Sequence, residues 1–367
     1  MNKITLERYF YPVGQGLCCR ERFISEQGQE FNLVYDCGQI VFWLNPRPAK
    51  YISKRIEQCF KDVKIDVLYI SHFHTDHVNL LEKIKNTKGC CIRKIILPYL
   101  TTYYLLSNVI DPQVPDNEFV NNLLMRAAGY ITTVEEDTEY YLLQSSFQDF
   151  ENSDNFIHNG DNLLKRFSHN LPFWEFLPYN DSKGLDSNIY SYLVQELKKN
   201  KINPNSVEDI VGKRKEIKKI YSSIIKNKSL PKINLNEQST LLLSLPETTK
   251  IKEYNFKNSE YVAKENLLGC IYFGDYPVQK GLPPKTSKAI NNNIQNVGTI
   301  QIPHHGALDG ELPGMYYAMR KCPVSYGLWN QKKHPTKHIV ETIGNNNGFL
   351  VRVSEELGYF QYFEFTV

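Results

Sequence analysis

Three of the chain's nine histidines fall within six residues, in the run Ser71-His72-Phe73-His74-Thr75-Asp76-His77. On an extended segment residues i and i+2 point to the same side, so His72 and His74 can address one ion. Asp76 and His77 follow on the turn into the next element and can address a second ion beside it. Imidazole and carboxylate donors suit borderline divalent metals, Zn²⁺ first and Mn²⁺ second. Two such ions about 3.5–4 Å apart would share a water and lower its pKa toward about 7. The chemistry expected is metal-assisted hydrolysis, in which a metal-bridged hydroxide attacks a carbonyl carbon or a phosphorus. Asp76 would take the proton and orient the hydroxide while also ligating metal.

These side chains need rigid elements behind them. Val63 to Ile70 is mostly apolar and β-branched, which predicts a buried strand ending at Ser71. Ahead of it, Ile4 to Tyr11, Leu17 to Phe23 and Phe31 to Tyr35 read as strands, broken by Val13-Gly14-Gln15-Gly16 and Asp36-Cys37-Gly38. Ile52, Ile56 and Phe60, four apart, predict an amphipathic helix over 51–60. A helix over 78–86, a strand at 94–97, a helix near 118–128 and a strand at 172–178 follow; the rest of 101–160 shows no clear period. From 180 to 232 the composition shifts. Ile189, Leu193 and Leu197 recur at helical spacing, as do Ile217, Tyr221 and Ile224, and eight Lys or Arg lie from Lys213 to Lys232. This segment reads as a basic helical insertion within one domain spanning 1–367. Strand signals return at 239–245, 270–273, 299–302, 324–328, 349–353 and 359–367. Strands alternating with helices in both halves predict α/β layers.

Composition sets outer bounds. The chain has 367 residues, 41% hydrophobic and 13% aromatic, with a net charge of +3, which excludes a disordered or collagen-like protein. No apolar run reaches the roughly 18 residues of a membrane span. The opening residues carry charges and lack the apolar core of a secretory signal. Eight cysteines include no CxxC, so they read as reduced, small hydrophobes, and the expected location is cytoplasmic.

The HxHxDH run resembles the signature of the metallo-β-lactamase superfamily, hydrolases with a four-layer αββα sandwich. Other landmarks fall in that family's order: FNLVYDCG over 31–38, Gly274-Asp275, and His304-His305-Gly306. Together with Val13-Gly14-Gln15-Gly16, Asn236-Glu237-Gln238-Ser239 and Lys333-His334-Pro335, they look like the soluble hydrolase domain of the ComEC-type DNA-uptake channel and its stand-alone relatives. The resemblance implies that Asp275 bridges two metals. It implies a metal ligand in the pair His304 and His305; His304, which leaves its strand first, is favoured, with His305 alternatively orienting a neighbouring ligand. His334 is expected to contact substrate or donate a proton. Asp36 is expected to orient the metal loop, and His338 to be an ordinary helix residue. Many superfamily members add a mid-chain histidine ligand; in this chain only His158 and His169 lie in that interval, neither in a recognisable motif.

The expected cofactor is thus a pair of divalent ions, and the expected substrate a nucleic acid or nucleotide phosphodiester. The basic run could contact phosphates, although a solvated helix face explains it as well. A carboxyl-ester, thioester or lactam hydrolase on the same site is one alternative. A non-enzymatic metal-binding interaction module is another. A protein partner that supplies specificity is compatible with the sequence.

Overall fold

The computed structural model describes residues 2–40, 47–130, 138–145, 154–167, 171–180, 187–228, 235–251, 253–255, 267–328, 330 and 333–367. The chain opens with strands β1 (Lys3–Phe10), β2 (Cys18–Ser25) and β3 (Glu30–Cys37), then helix α1 (Arg47–Phe60). Short strands β4 (Lys64–Ile65) and β5 (Val67–Tyr69) lead to α2 (Thr75–Val78) and α3 (Leu81–Lys85). Next come β6 (Cys91–Ile92), β7 (Lys94–Pro98), α4 (Thr102–Ile110), α5 (Glu118–Ala127), β8 (Glu139–Leu143), β9 (Phe156–Ile157), α6 (Leu163–Arg166) and β10 (Trp174–Tyr179). Three helices follow: α7 (Ser187–Lys199), α8 (Val207–Gly212) and α9 (Arg214–Lys228). The second half holds β11 (Leu241–Pro246), β12 (Glu253–Asn255), β13 (Gly269–Tyr272), α10 (Pro284–Asn293), β14 (Val297–Ile300), β15 (Lys321–Ser325), α11 (Lys337–Asn345), β16 (Phe349–Val353) and β17 (Tyr359–Thr366).

Two mixed sheets result. One runs β12-β17-β1-β2-β3-β5-β7-β8-β9, the other β10-β11-β13-β14-β15-β16. In each, an antiparallel part meets a parallel part, at β3 in the first sheet and β13 in the second. Side-chain alternation builds the layers. Leu33 and Tyr35 of β3, Val67 and Tyr69 of β5 and Cys270 and Tyr272 of β13 enter the core between the sheets. The residues between them face outward: Val34 and Leu68 meet the helical core containing Ile52, Ile56 and Phe60 of α1. Ile271 meets Ile290 of α10 and Ile339 of α11. Helices therefore cover both outer faces, giving a four-layer αββα sandwich. Strands buried on both faces read as continuous apolar runs, as 67–70 does. Ile189, Leu193 and Leu197 of α7 and Ile217 of α9 join the core on the first sheet.

The predicted strand over 63–70 is interrupted. Asp66 separates β4 from β5 because its buried carboxylate accepts the Asn32 backbone N–H at 2.9 Å and pairs with Arg93 at 2.8 Å. β4 then pairs with β6 in a separate two-stranded ladder. All eight cysteines are free thiols, and five of them are buried. Among the described residues no helix is long and apolar enough to cross a membrane.

A polar cluster sits in the core between the sheets. Arg8 and Glu21, both with fully buried side chains, pair at 2.7 Å. Glu21 also accepts from Ser244 Oγ at 2.6 Å and Tyr272 Oη at 2.8 Å, on the opposite sheet. Removing one partner of a buried ion pair strands the other charge. Glu21→Ala should therefore cost about 3–5 kcal/mol in urea unfolding. The double change Arg8→Met/Glu21→Leu should recover most of that loss. A single variant as stable as the parent would show that the cluster is not a structural tie.

Candidate metal centre

The centre forms where the two sheets meet beyond the C-terminal end of β5. Ser71 is the junction: its N–H and Oγ each donate to Asp36 at 2.7 Å. Its carbonyl accepts from Thr240 N and Oγ1 at 3.0 and 3.1 Å, tying the first sheet to the start of β11. Asp36 is fully buried, and its second oxygen lies 2.8 Å from His77 Nδ1. A carboxylate on one ring nitrogen fixes the tautomer and orients the other nitrogen outward. Gly38 allows this packing, because a Cβ there would lie 2.0 Å from the Asp76 backbone.

The described residues hold two potential ligand groups: His72, His74 and Asp275; and Asp76, His77, Asp275 and His305. Asp275 belongs to both. It follows β13 at Gly274, whose φ of 55° and contact with Ser239 Oγ leave no room for a Cβ. Ser239 Oγ accepts the Asp275 N–H at 2.9 Å. The His72 ring stacks edgewise on His74 at 4.5 Å and lies 4.1 Å from the His77 ring. Hydroxyls of Ser71 and Ser239 approach His72 Nδ1 at 3.0 and 3.4 Å. His74 Nε2 meets buried Asp111 at 3.3 Å, which leaves Nδ1 for a cation.

Four buried atoms test whether metal fits. His72 Nε2, His77 Nε2, His305 Nε2 and Asp275 Oδ1 make no well-formed hydrogen bond, although Asp275 Oδ1 faces His77 Nε2 at 3.2 Å and His305 Nε2 at 3.4 Å. Buried polar atoms normally find partners. In this cluster the opposite nitrogens are engaged by Ser71, Asp36 and the Ser325 carbonyl, so the remaining lone pairs converge on one space, as a ligand set does. For His72 and Asp275 the electrostatics agree. Burial and the neighbouring His77 and His74 rings push His72 well below its usual pKa, leaving it neutral with a lone pair to give. Burial would raise Asp275, but His305, His77 and His304 hold it well below the usual carboxylate range. Burial lowers His77, and the Asp275 and Asp36 carboxylates overcome this and raise it well above its usual value. The residues present fit divalent ions.

Of the His304–His305 pair, the geometry brings His305, not the favoured His304, beside the other candidate ligands. His304 (φ 46°) and His305 (φ 55°) both adopt the left-handed conformation, which turns the chain at once. His305 Nε2 therefore lies 3.2 Å from Asp76, while His304 joins neither group. His304 Nδ1 bonds Asp309 at 2.6 Å, and its ring lies against the Asn236 amide. His334 is half-buried, with its ring 6.1 Å from that of His304. Gly306 makes room for the adjacent Pro335, which a Cβ would meet at 2.5 Å. His158 follows edge strand β9 and joins neither ligand group; His169 lies outside the described residues. His338 sits on α11 and bonds Glu311. The basic run is not uniformly a solvated face, since Arg214 is buried; Lys232 lies outside the described residues.

Sequence reasoning missed Asp111, Asp309 and the Ser325 carbonyl as supports. None has a motif, and each lies in a different element from the imidazole it orients or sits beyond a turn. In sequence the Asn236–Ser239 segment carries only the signal of a landmark; in the structure Ser239 bonds the Asp275 backbone and approaches His72.

Two outcomes test this geometry. Asp36→Ala should weaken metal binding about 10–100-fold, read by competition with a chromophoric chelator on folded protein. His305→Ala should lower the bound metal by one equivalent in elemental analysis, whereas His304→Ala should leave the stoichiometry unchanged. The reverse pattern would exchange their roles.

No family model and no curated protein matches the sequence. Among solved structures, the chain is similar to MEM-A1, a subclass B3 metallo-beta-lactamase isolated from a soil metagenome library: 11% identity, 82% of this chain, 81% of that chain, TM-score 0.30. It is also similar to a long form RNase Z from yeast, at 10% identity over 96% of this chain and 37% of that chain, TM-score 0.36. A third is unliganded yeast PDE1, at 9% identity over 99% and 100%, TM-score 0.40. The chain's own layers form a four-layer αββα sandwich, with the histidine run placed beyond the C-terminal end of β5.

Proposed function

We propose that the chain is a dinuclear metal-dependent hydrolase acting on a phosphodiester in nucleic acid or a nucleotide. The observation that carries the hydrolase reading is the convergence of orphaned lone pairs from both halves of the chain, with Asp275 shared between two groups. Among the described residues, His72, His74 and Asp275 make only a three-donor set. Catalytic zinc sites keep such an open position, whereas structural sites are closed by four protein ligands. The phosphodiester reading draws on the ComEC-like landmarks. Asn236 lies against His304, Ser239 against Asp275, and Pro335 against Gly306.

His72, His74 and Asp275 would hold one ion, and Asp76, His77, Asp275 and His305 the other, Zn²⁺ or Mn²⁺. Cations bound there would supply Lewis acidity and a lowered pKa for water. The residues do the rest. The Asp76 carboxylate, held beside His305, orients the attacking water and accepts its proton. Asp36 keeps the His77 ring from turning. His334 donates a proton to the leaving oxygen. His304, braced by Asp309 and Asn236, contacts the substrate. Exposed Lys215, Lys219 and Lys226 of α9 remain available for phosphate contact.

Purified protein should contain about two equivalents of divalent metal and, with Zn²⁺ or Mn²⁺ added, cleave bis-p-nitrophenyl phosphate faster than p-nitrophenyl acetate or nitrocefin. A panel of single-stranded DNA, duplex DNA, RNA and cyclic nucleotides then identifies the substrate. Preference for the acetate or nitrocefin would move the assignment to ester or lactam hydrolysis, and metal-loaded protein inert on every substrate would support an interaction module. Asp76→Asn should lower kcat by at least about 100-fold with unchanged circular dichroism; full activity in the folded variant would show that Asp76 is not the proton acceptor.

A further inference from the structure

The basic helical segment contains one residue that cannot serve as a surface charge. Arg214 opens α9, yet it is only 2% exposed. Its guanidinium donates to the Val109 carbonyl at 3.2 Å, the Val114 carbonyl at 2.8 Å, the Pro115 carbonyl at 2.6 Å and Asn121 Oδ1 at 2.9 Å. The three carbonyls flank a short stretch that leaves α4. That stretch is itself docked on the histidine run: Gln113 O accepts from Thr75 N at 2.9 Å and from Thr75 Oγ1 at 2.7 Å. Between these points sits Asp111, whose Oδ1 accepts the Gln113 N–H at 2.6 Å and whose Oδ2 meets His74 Nε2.

We propose that Arg214 is a positioning residue for the metal site, stapling both ends of the 109–115 segment so that Asp111 holds the His74 ring in its ligating orientation. The inference rests on the reading of His74 as a ligand. A planar guanidinium suits the task because its five donors fan out in fixed directions and reach carbonyls on two sides at once. A lysine offers one point charge and cannot span them. The helices around it are anchored to match: Ile210 and Val211 of α8 and Ile217 of α9 pack into the same core as Leu105, Leu106 and Val109 of α4. The helical segment thus braces one ligand of the centre, and its role is not confined to its exposed lysines.

The test is Zn²⁺ titration of the full chain, with the two binding steps assigned by His74→Ala and with Tm recorded for every protein. Arg214→Lys should weaken the step assigned to His74 about 10–100-fold and change the other step by less than about threefold. Ile217→Ala, a cavity in the same helix, should lower Tm by a similar amount and leave both steps in place. Equal weakening of both steps in Arg214→Lys, or the same selective loss in Ile217→Ala, would overturn the proposal. Should Arg214→Lys fail to fold, Asp111→Asn, which leaves all four Arg214 bonds available, must show the selective loss; normal binding there also overturns it. Failure of the parent protein to bind Zn²⁺ would instead overturn the hydrolase reading itself.

Discussion

The whole arrangement depends on holding several electron-rich atoms close together in a largely buried cluster. His72, His77, His305 and Asp275 point nitrogen and oxygen lone pairs at one another from segments roughly 200 residues apart in sequence. Such a set is costly unless something positive lies among it. A proton on His77 can do so in part, which is why Asp275 and Asp36 raise its affinity for protons. A divalent cation does it more completely. Everything next to these atoms can be understood as scaffolding that keeps them from turning away.

That scaffolding has a regular logic. Three of the imidazoles that face the centre are gripped at their other nitrogen from three different elements: Asp36 at the end of β3 for His77, the Ser325 carbonyl at the end of β15 for His305, and Asp111 beyond α4 for His74. Strand ends supply two of the three anchors, because a β-ladder leaves its terminal groups at a defined height above the sheet. The parallel part of each sheet brings several such ends to one edge, which is where ligand sites of open α/β sheets form. The αββα layering is therefore the reason two distant motifs can meet at all.

Local pattern made much of this legible. The histidine run after an apolar β-branched stretch pointed to a buried strand and to a cluster of imidazoles at its end. The helical spacing of Ile52, Ile56 and Phe60 matched α1, and that of Ile189, Leu193 and Leu197 matched α7. Pattern failed where burial is uniform or where the chain turns sharply. Helix α4 carries no apolar stripe because seven of its nine residues are buried, so its sequence shows no period. Asp66 looked like one polar residue inside a strand, but its carboxylate serves two partners and splits the strand. The order of His304 and His305 could not be read from the strand before them, since two consecutive left-handed residues reverse the expected direction. Supports such as Asp111 and Arg214 carry no signal in sequence, because what matters is which carbonyls or rings lie beside them in space.

The buried Arg8–Glu21 pair gains a meaning from this dependence. Apolar layers tolerate a small slide of one sheet across the other, since methyl and methylene groups repack with little directional preference. Glu21 does not, because its carboxylate must reach Arg8 on its own sheet and both Ser244 and Tyr272 on the facing one. It acts as an alignment pin: a lateral slip that the greasy interface would forgive breaks two hydroxyl bonds at once. Since the nitrogen and oxygen donors of the centre are contributed by both leaves of the sandwich, the accuracy of that distant pocket is inherited from a polar lock that never touches it.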